Sequence, residues 1–141
     1  MPTTDTAALS VDQAWERLSR ENIGRLVTLI SGGVIDVYPI NYVCRGHTIL
    51  IRTHPGMKLA TLAVFPDVVF EVDHHAPGQA AWSVVVRATA RIVTDSRAVT
   101  AADGLGLHPL VDGDADEIVV LVPTALTARE FPTREIAEET R

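Results

Sequence analysis

The chain has 141 residues, of which 47% are hydrophobic and 21% charged, a balance that fits a single globular domain over 1–141 and excludes a disordered segment. Its formal net charge of −6 argues against a nucleic-acid partner, which requires a basic face to displace counterions, and leaves a small-molecule ligand as the expectation. Apolar runs such as Ile118 to Val122 are too short to cross a bilayer, and no basic, apolar leader opens the sequence, so the expected setting is cytoplasmic with no membrane partner.

In chain order, Ser10 to Glu21 reads as a helix, with Ser10 as N-cap and Val11, Ala14, Trp15 and Leu18 along one stripe. From Gly24 the period changes. Arg25 to Ile30 is a β-rich run closed by Ser31, Gly32 and Gly33, and Val34 to Val43 is the strand that pairs back. Pro39 lies inside that strand and has no N–H to donate, which predicts an edge or a bulge there and a place for a ligand to meet main chain.

Arg45 and Gly46 turn the chain into a third strand, His47 to Thr53, broken by His54, Pro55 and Gly56. A short helix over Met57 to Phe65 is stopped by Pro66, and Val68 to Asp73 alternates with Val68, Phe70 and Val72 on one face. After a polar turn at His74 to Gln79, Trp82 to Val93 is the longest strand candidate, with Trp82, Val84, Val86, Ala88, Ala90 and Ile92 on the buried side. Ser96 to Leu107 is weakly helical, Asp112 to Glu117 an acidic loop, and Ile118 to Phe131 a final strand pair or one long interrupted strand. The tail, 132–141, is charged and reads as a frayed helix. Six strands joined by short turns predict an antiparallel, closed or nearly closed β-barrel, because closure removes exposed edges.

The segment with most chemistry is Arg52-Thr53-His54-Pro55-Gly56-Met57-Lys58-Leu59. Arg52 offers a planar fork of donors, Thr53 a hydroxyl, Lys58 a mobile point charge, and the start of the following helix unpaired N–H groups. Lys58 is the only lysine in an acidic chain. Surface charges with no ligand are the plain alternative, but positive charge gathered at one strand-to-helix turn fits a phosphate.

Gly24-Arg25-Leu26-Val27-Thr28, Pro39-Ile40-Asn41-Tyr42, Arg52-Thr53 with Gly56-Met57-Lys58-Leu59, and Trp82-Ser83-Val84-Val85-Val86-Arg87 follow one another in an order and spacing that resemble the pyridoxamine phosphate oxidase-like superfamily of flavin-binding split barrels. The small actinobacterial-type members are the nearest in character. The resemblance implies a six-stranded split barrel, a homodimer with cofactor at its interface, and oxidoreductase chemistry on a small-molecule substrate. It further implies that Arg52, Thr53 and Lys58, beside His54, hold the phosphate of FMN. Pro39, Ile40, Asn41 and Tyr42 would then run along the isoalloxazine ring, and Trp82 and Ser83 would approach from the neighbouring region or the partner subunit. A strand tryptophan is more often a packing residue. The acidic C-terminal tail lacks the basic and histidine residues with which the full-length oxidases hold the substrate phosphate, which argues against the vitamin substrate.

A deazaflavin in the same site would restrict the chemistry to hydride transfer. A non-catalytic barrel that stores flavin, or binds haem through His54, His74 or His75, is the alternative from another class. Joint ligation of a metal by His74 and His75 is disfavoured because adjacent strand residues face opposite ways. Ser83 lacks a nucleophile-elbow setting, and Gly104-Leu105-Gly106 does not continue a dinucleotide fingerprint. Cys44 is the only cysteine and reads as a small buried residue.

Overall fold

The computed structural model describes residues 6–53, 60–93, 95–107 and 117–132. Seven antiparallel strands form one sheet: β1 (Ala7–Ala8), β2 (Ile23–Ile30), β3 (Val34–Arg45), β4 (Thr48–Thr53), β5 (Asp67–His74), β6 (Ala81–Val93) and β7 (Glu117–Phe131). Their order is β1-β7-β4-β3-β2-β5-β6, and β6 pairs again with β7, so the six longer strands close on themselves as the alternating sequence predicts. β1, two residues paired to Glu130 and Arg129, is too short to leave a periodic signal.

The N-terminal helix α1 (Val11–Leu18) begins at a reciprocal cap, in which Gln13 N–H donates to Ser10 Oγ at 3.1 Å and Ser10 N–H to Gln13 Oε1 at 2.8 Å. It ends short of the expected Glu21. The Ser19 hydroxyl donates to the Glu16 carbonyl at 2.7 Å and Arg20 N–H to the Arg17 carbonyl at 3.1 Å, tightening the last turn. The Asn22 carbonyl then accepts from Tyr42 N–H at 3.0 Å, which draws the chain into the sheet. Ala14, Trp15 and Leu18 carry the buried stripe, and the Tyr42 hydroxyl donates to the Leu18 carbonyl at 2.6 Å, tying α1 to β3.

β2 and β3 form a hairpin in register from Ile23↔Asn41 to Ile30↔Val34, closed by a 3₁₀ turn at Ser31–Gly33 in which Gly32 and Gly33 have φ of 83° and 77°. Inside the barrel, Val68, Phe70 and Val72 of β5 meet Trp82, Val84, Val86, Ala88 and Ala90 of β6, each such large side chain contributing roughly 1.5–3 kcal/mol on burial. Gly24 is required by this packing, since a Cβ there would lie 2.4 Å from Phe70 Cζ.

The C-terminal run is one strand, β7, with a register shift opposite Arg87 and Ala88. The interruption in its pattern is therefore a bulge, not a turn. α2 (Ala60–Val64) sends Leu62 into the core, while α3 (Ser96–Gly104), capped by Asp95, lies on the outer face, where Ala102 and Leu107 pack on Leu50 and Ile118. The expected helical residues Met57 to Leu59, the acidic loop up to residue 116 and the tail beyond Pro132 lie outside the described residues. Among the described residues no helix is long and apolar enough to cross a membrane.

Candidate functional site at the opening between β3 and β4

β3 and β4 pair only from Arg45↔Thr48 to Tyr42↔Ile51. Beyond that rung β4 stays with β7 as far as Thr53↔Glu117, while β3 stays with β2 back to Val34. The sheet therefore opens between them. Ile40, Tyr42, Ile49 and Ile51 are buried in the barrel core, so alternation turns Asn41 and Arg52 outward as the first residues on the two lips. Pro39 sits on the lip formed by β3, in register with Arg25 of β2 and with no described strand on its other side. That is the edge its missing N–H demands.

The side chains of Ile40 and Tyr42 are 4% and 1% exposed and serve the core, so only their main chain lies along the opening. Tyr42 N–H is already donated to Asn22, and burial pushes its hydroxyl pKa up. Arg52 is set under α3: its side chain is 12% exposed, and one terminal nitrogen donates to the Asp103 carboxylate and, at 3.3 Å, to the Leu107 carbonyl. The sequence gives no hint of the Asp103 contact, because the two positions are far apart in the chain and meet only through the docking of α3.

Thr53 occupies the last rung of β4, opposite Glu117, while His54 and Lys58 lie outside the described residues. Trp82, 3% exposed, packs inside the barrel and stacks on His74 at 6.1 Å between centroids, with the rings 20° apart. Its indole is a core residue and not part of the opening. His74 also has Nδ1 3.4 Å from Glu21 Oε2. Ser83 faces outward, between Asp73 and Arg129 in register, and is separated from Asn41 by β2 and β5. The fold thus gathers Pro39, Asn41 and Arg52 at one opening and leaves the Trp82 side chain apart.

A charged cluster beside Pro39 is absent from the sequence reading. Arg25 Nη2 lies 2.8 Å from Asp73 Oδ2, and Arg25 Nε lies 2.9 Å from Glu71 Oε1, the latter contact lacking hydrogen-bond alignment. Burial, reinforced by Asp73, pushes the Glu71 carboxyl up to about 7. The hydrogen bond with Glu71 holds Asp73 below the ordinary carboxylate range, and Arg25 is raised by its bond to Asp73. The outward phase of all three was visible in the alternation, but the pairing of β2 with β5 was not. Cys44 is half-buried and its thiol is pushed up to about 11 by burial, as its plain reading implies.

Residues 10–138 match the family model described as pyridoxamine 5'-phosphate oxidase. The chain belongs to this family. Among solved structures, a Corynebacterium glutamicum protein described as a candidate pyridoxamine 5'-phosphate oxidase is 36% identical, with a TM-score of 0.80 over 96% of this chain and 99% of the other. An FAD binding protein from Mycobacterium smegmatis is 34% identical, with a TM-score of 0.73 over 89% of this chain and 98% of the other. An uncharacterized Mycobacterium tuberculosis protein is 32% identical over 87 residues, 62% of this chain and 78% of the relative. The pyridoxamine 5'-phosphate oxidase fold expected from the strand motifs is thus the fold observed.

Proposed function

We propose that the chain is a flavin-dependent oxidoreductase that binds FMN, or a deazaflavin in the same place, along the opening between β3 and β4. The observation that carries this reading is the end of β3–β4 pairing at Tyr42↔Ile51, which sets Asn41 and Arg52 outward on opposite lips beside an edge-strand proline. The M. smegmatis relative, described as an FAD binding protein, supports a flavin-type cofactor.

In this reading Arg52 supplies a guanidinium to the cofactor phosphate, joined by Thr53 and Lys58, which follow it in the sequence. Asp103 and Leu107 limit the rotation of Arg52, so that the fork meets its ligand with less ordering to do. Main chain at Pro39 to Asn41 orients the ring, and Ser83, two strands away within one chain, reaches the site from the partner subunit. Bound flavin supplies the electron chemistry; the protein side chains bind, orient and restrict access. Ile23, 45% exposed and in register with Asn41, is apolar surface that a second copy would cover, consistent with a homodimer closing the site.

The test is titration of the purified full-length chain with FMN, FAD and a deazaflavin cofactor in turn, followed by absorbance and flavin fluorescence. Saturable binding of FMN at one per chain is expected. Binding of none of the three overturns the proposal.

A further inference from the structure

The outward row of β2 is aliphatic except at one position: Ile23, Val27 and Leu29, with Arg25 among them. Ile23 and Leu29 are 45% and 52% exposed, and Val37 and Ile35 of β3, in register with Val27 and Leu29, are 57% and 63% exposed. On the other side of β2, Val69 of β5 is in register with Val27, and Val27, Leu29, Ile35 and Val69 line a concavity of about 510 Å³. So much aliphatic surface centred on one strand is unusual for a monomer. It continues along β2 to the lip of the opening, where Ile23 and Arg25 are in register with Asn41 and Pro39. The occupant that fits this face is a second copy of the chain.

In an isologous contact a strand on the two-fold meets itself and its neighbours exchange. With β2 on the two-fold, β5 of one protomer lies over β3 of the other. Glu71 then falls at the height of the partner's Pro39, because Glu71 and Pro39 share Arg25 as register partner, and Asp73 follows two residues on. Within one chain this placement does not arise: β2 stands between β5 and β3, which sets the two acids on the order of 10 Å from the lip.

The cluster has a definite hydrogen-bonding pattern. Arg25 is a donor, Asp73 an ionised acceptor, and Glu71, which keeps its proton up to about 7, a second donor. The pyrimidine edge of a flavin or deazaflavin ring presents the complement, an N–H between two carbonyls. Building on the flavin reading above, we propose that Arg25, Glu71 and Asp73 of each protomer close the partner subunit's opening and bind the pyrimidine edge of its cofactor. Ser83, in register with Asp73, comes to the same place.

The experiment uses full-length chains near pH 6, where Glu71 holds its proton. Asp73→Lys should weaken FMN and riboflavin alike by about tenfold or more, since it loses a contact to the ring and none to the phosphate; Asp73→Asn should recover part of the loss. Asp73→Lys is then co-expressed with the Arg52→Ala, Lys58→Ala variant under a different affinity tag, and the mixed dimer is purified. With the anchor from one protomer and the acids from the other, one opening carries both defects and the other none, so one FMN per two chains should bind with parent affinity. A mixed dimer without a parent-affinity site overturns the proposal, as does a monomeric parent chain or undiminished FMN affinity in Asp73→Lys. A parent chain that binds no flavin refutes the flavin reading as well, whereas a parent that binds FMN beside a mixed dimer that does not refutes the assignment in trans alone.

Discussion

Asp103 of α3 holds the guanidinium of Arg52 on β4, and the same nitrogen reaches the Leu107 carbonyl just past the helix. Arg52 is 12% exposed and Asp103 53%, so the contact is half in water and half under the helix. It fastens α3 across the smaller apolar cluster of Leu50, Ala102, Leu107 and Ile118. The residue assigned to the cofactor phosphate is therefore also a structural tie.

Asp103→Asn should lower the unfolding free energy by about 1 kcal/mol, the upper range for a pair with one partner exposed. In an Arg52→Ala background the same change should cost almost nothing. A double-mutant cycle by urea denaturation measures the difference, and equal losses in both backgrounds would show that the pair is energetically idle.

Gly24→Ala tests the barrel interior. The new Cβ would lie 2.4 Å from Phe70 Cζ, 2.7 Å from Phe70 Cε2 and 3.0 Å from Val72 Cγ2, so the aromatic ring must move within a closed core. A loss of about 1–3 kcal/mol is expected in chemical denaturation, the usual cost of overpacking.

Glu71 makes stability depend on pH with a definite sign. In the folded chain its carboxyl holds a proton up to about 7, above the ordinary value of 4.5, so the native state binds more protons than the unfolded chain across that window. Stability contributed by this group must fall as pH rises from about 4.5 to 7. Asp73 is shifted the other way, and its contribution is lost at lower pH, below that window. Glu71→Gln should match the parent near pH 5 and exceed its stability near pH 8 by about 1 kcal/mol, a figure reduced from the full shift because water screens the group. Thermal unfolding across that range checks it, and parallel curves for the two proteins would refute the shift.

Much of this architecture was legible in local patterns. Alternation in Val68 to Val72 and in Trp82 to Ala90 assigned the core faces, and Ser31-Gly32-Gly33 marked the hairpin, because period and turn chemistry are local properties. Pro39 marked the edge for the same reason, a missing donor that no neighbour can replace. What escaped was set by pairing between distant segments. The Arg52–Asp103 contact depends on where α3 docks, and the Arg25–Glu71–Asp73 cluster on β2 lying beside β5. For Trp82 the inward strand phase read from the alternation places the indole in the core. The bulge at Arg87 looked in the sequence like an ambiguous break near Pro123, and only the register resolved it.

The most direct test of the flavin reading is the affinity of the Arg52→Ala, Lys58→Ala double variant for FMN and for riboflavin, which lacks the phosphate. Charge-assisted contacts to phosphate are worth roughly 1.5–3 kcal/mol each, so FMN affinity should fall by about a hundredfold or more while riboflavin binding changes little. A folded variant that binds FMN as tightly as the parent chain would contradict the anchor, and with it the placement of the cofactor between β3 and β4.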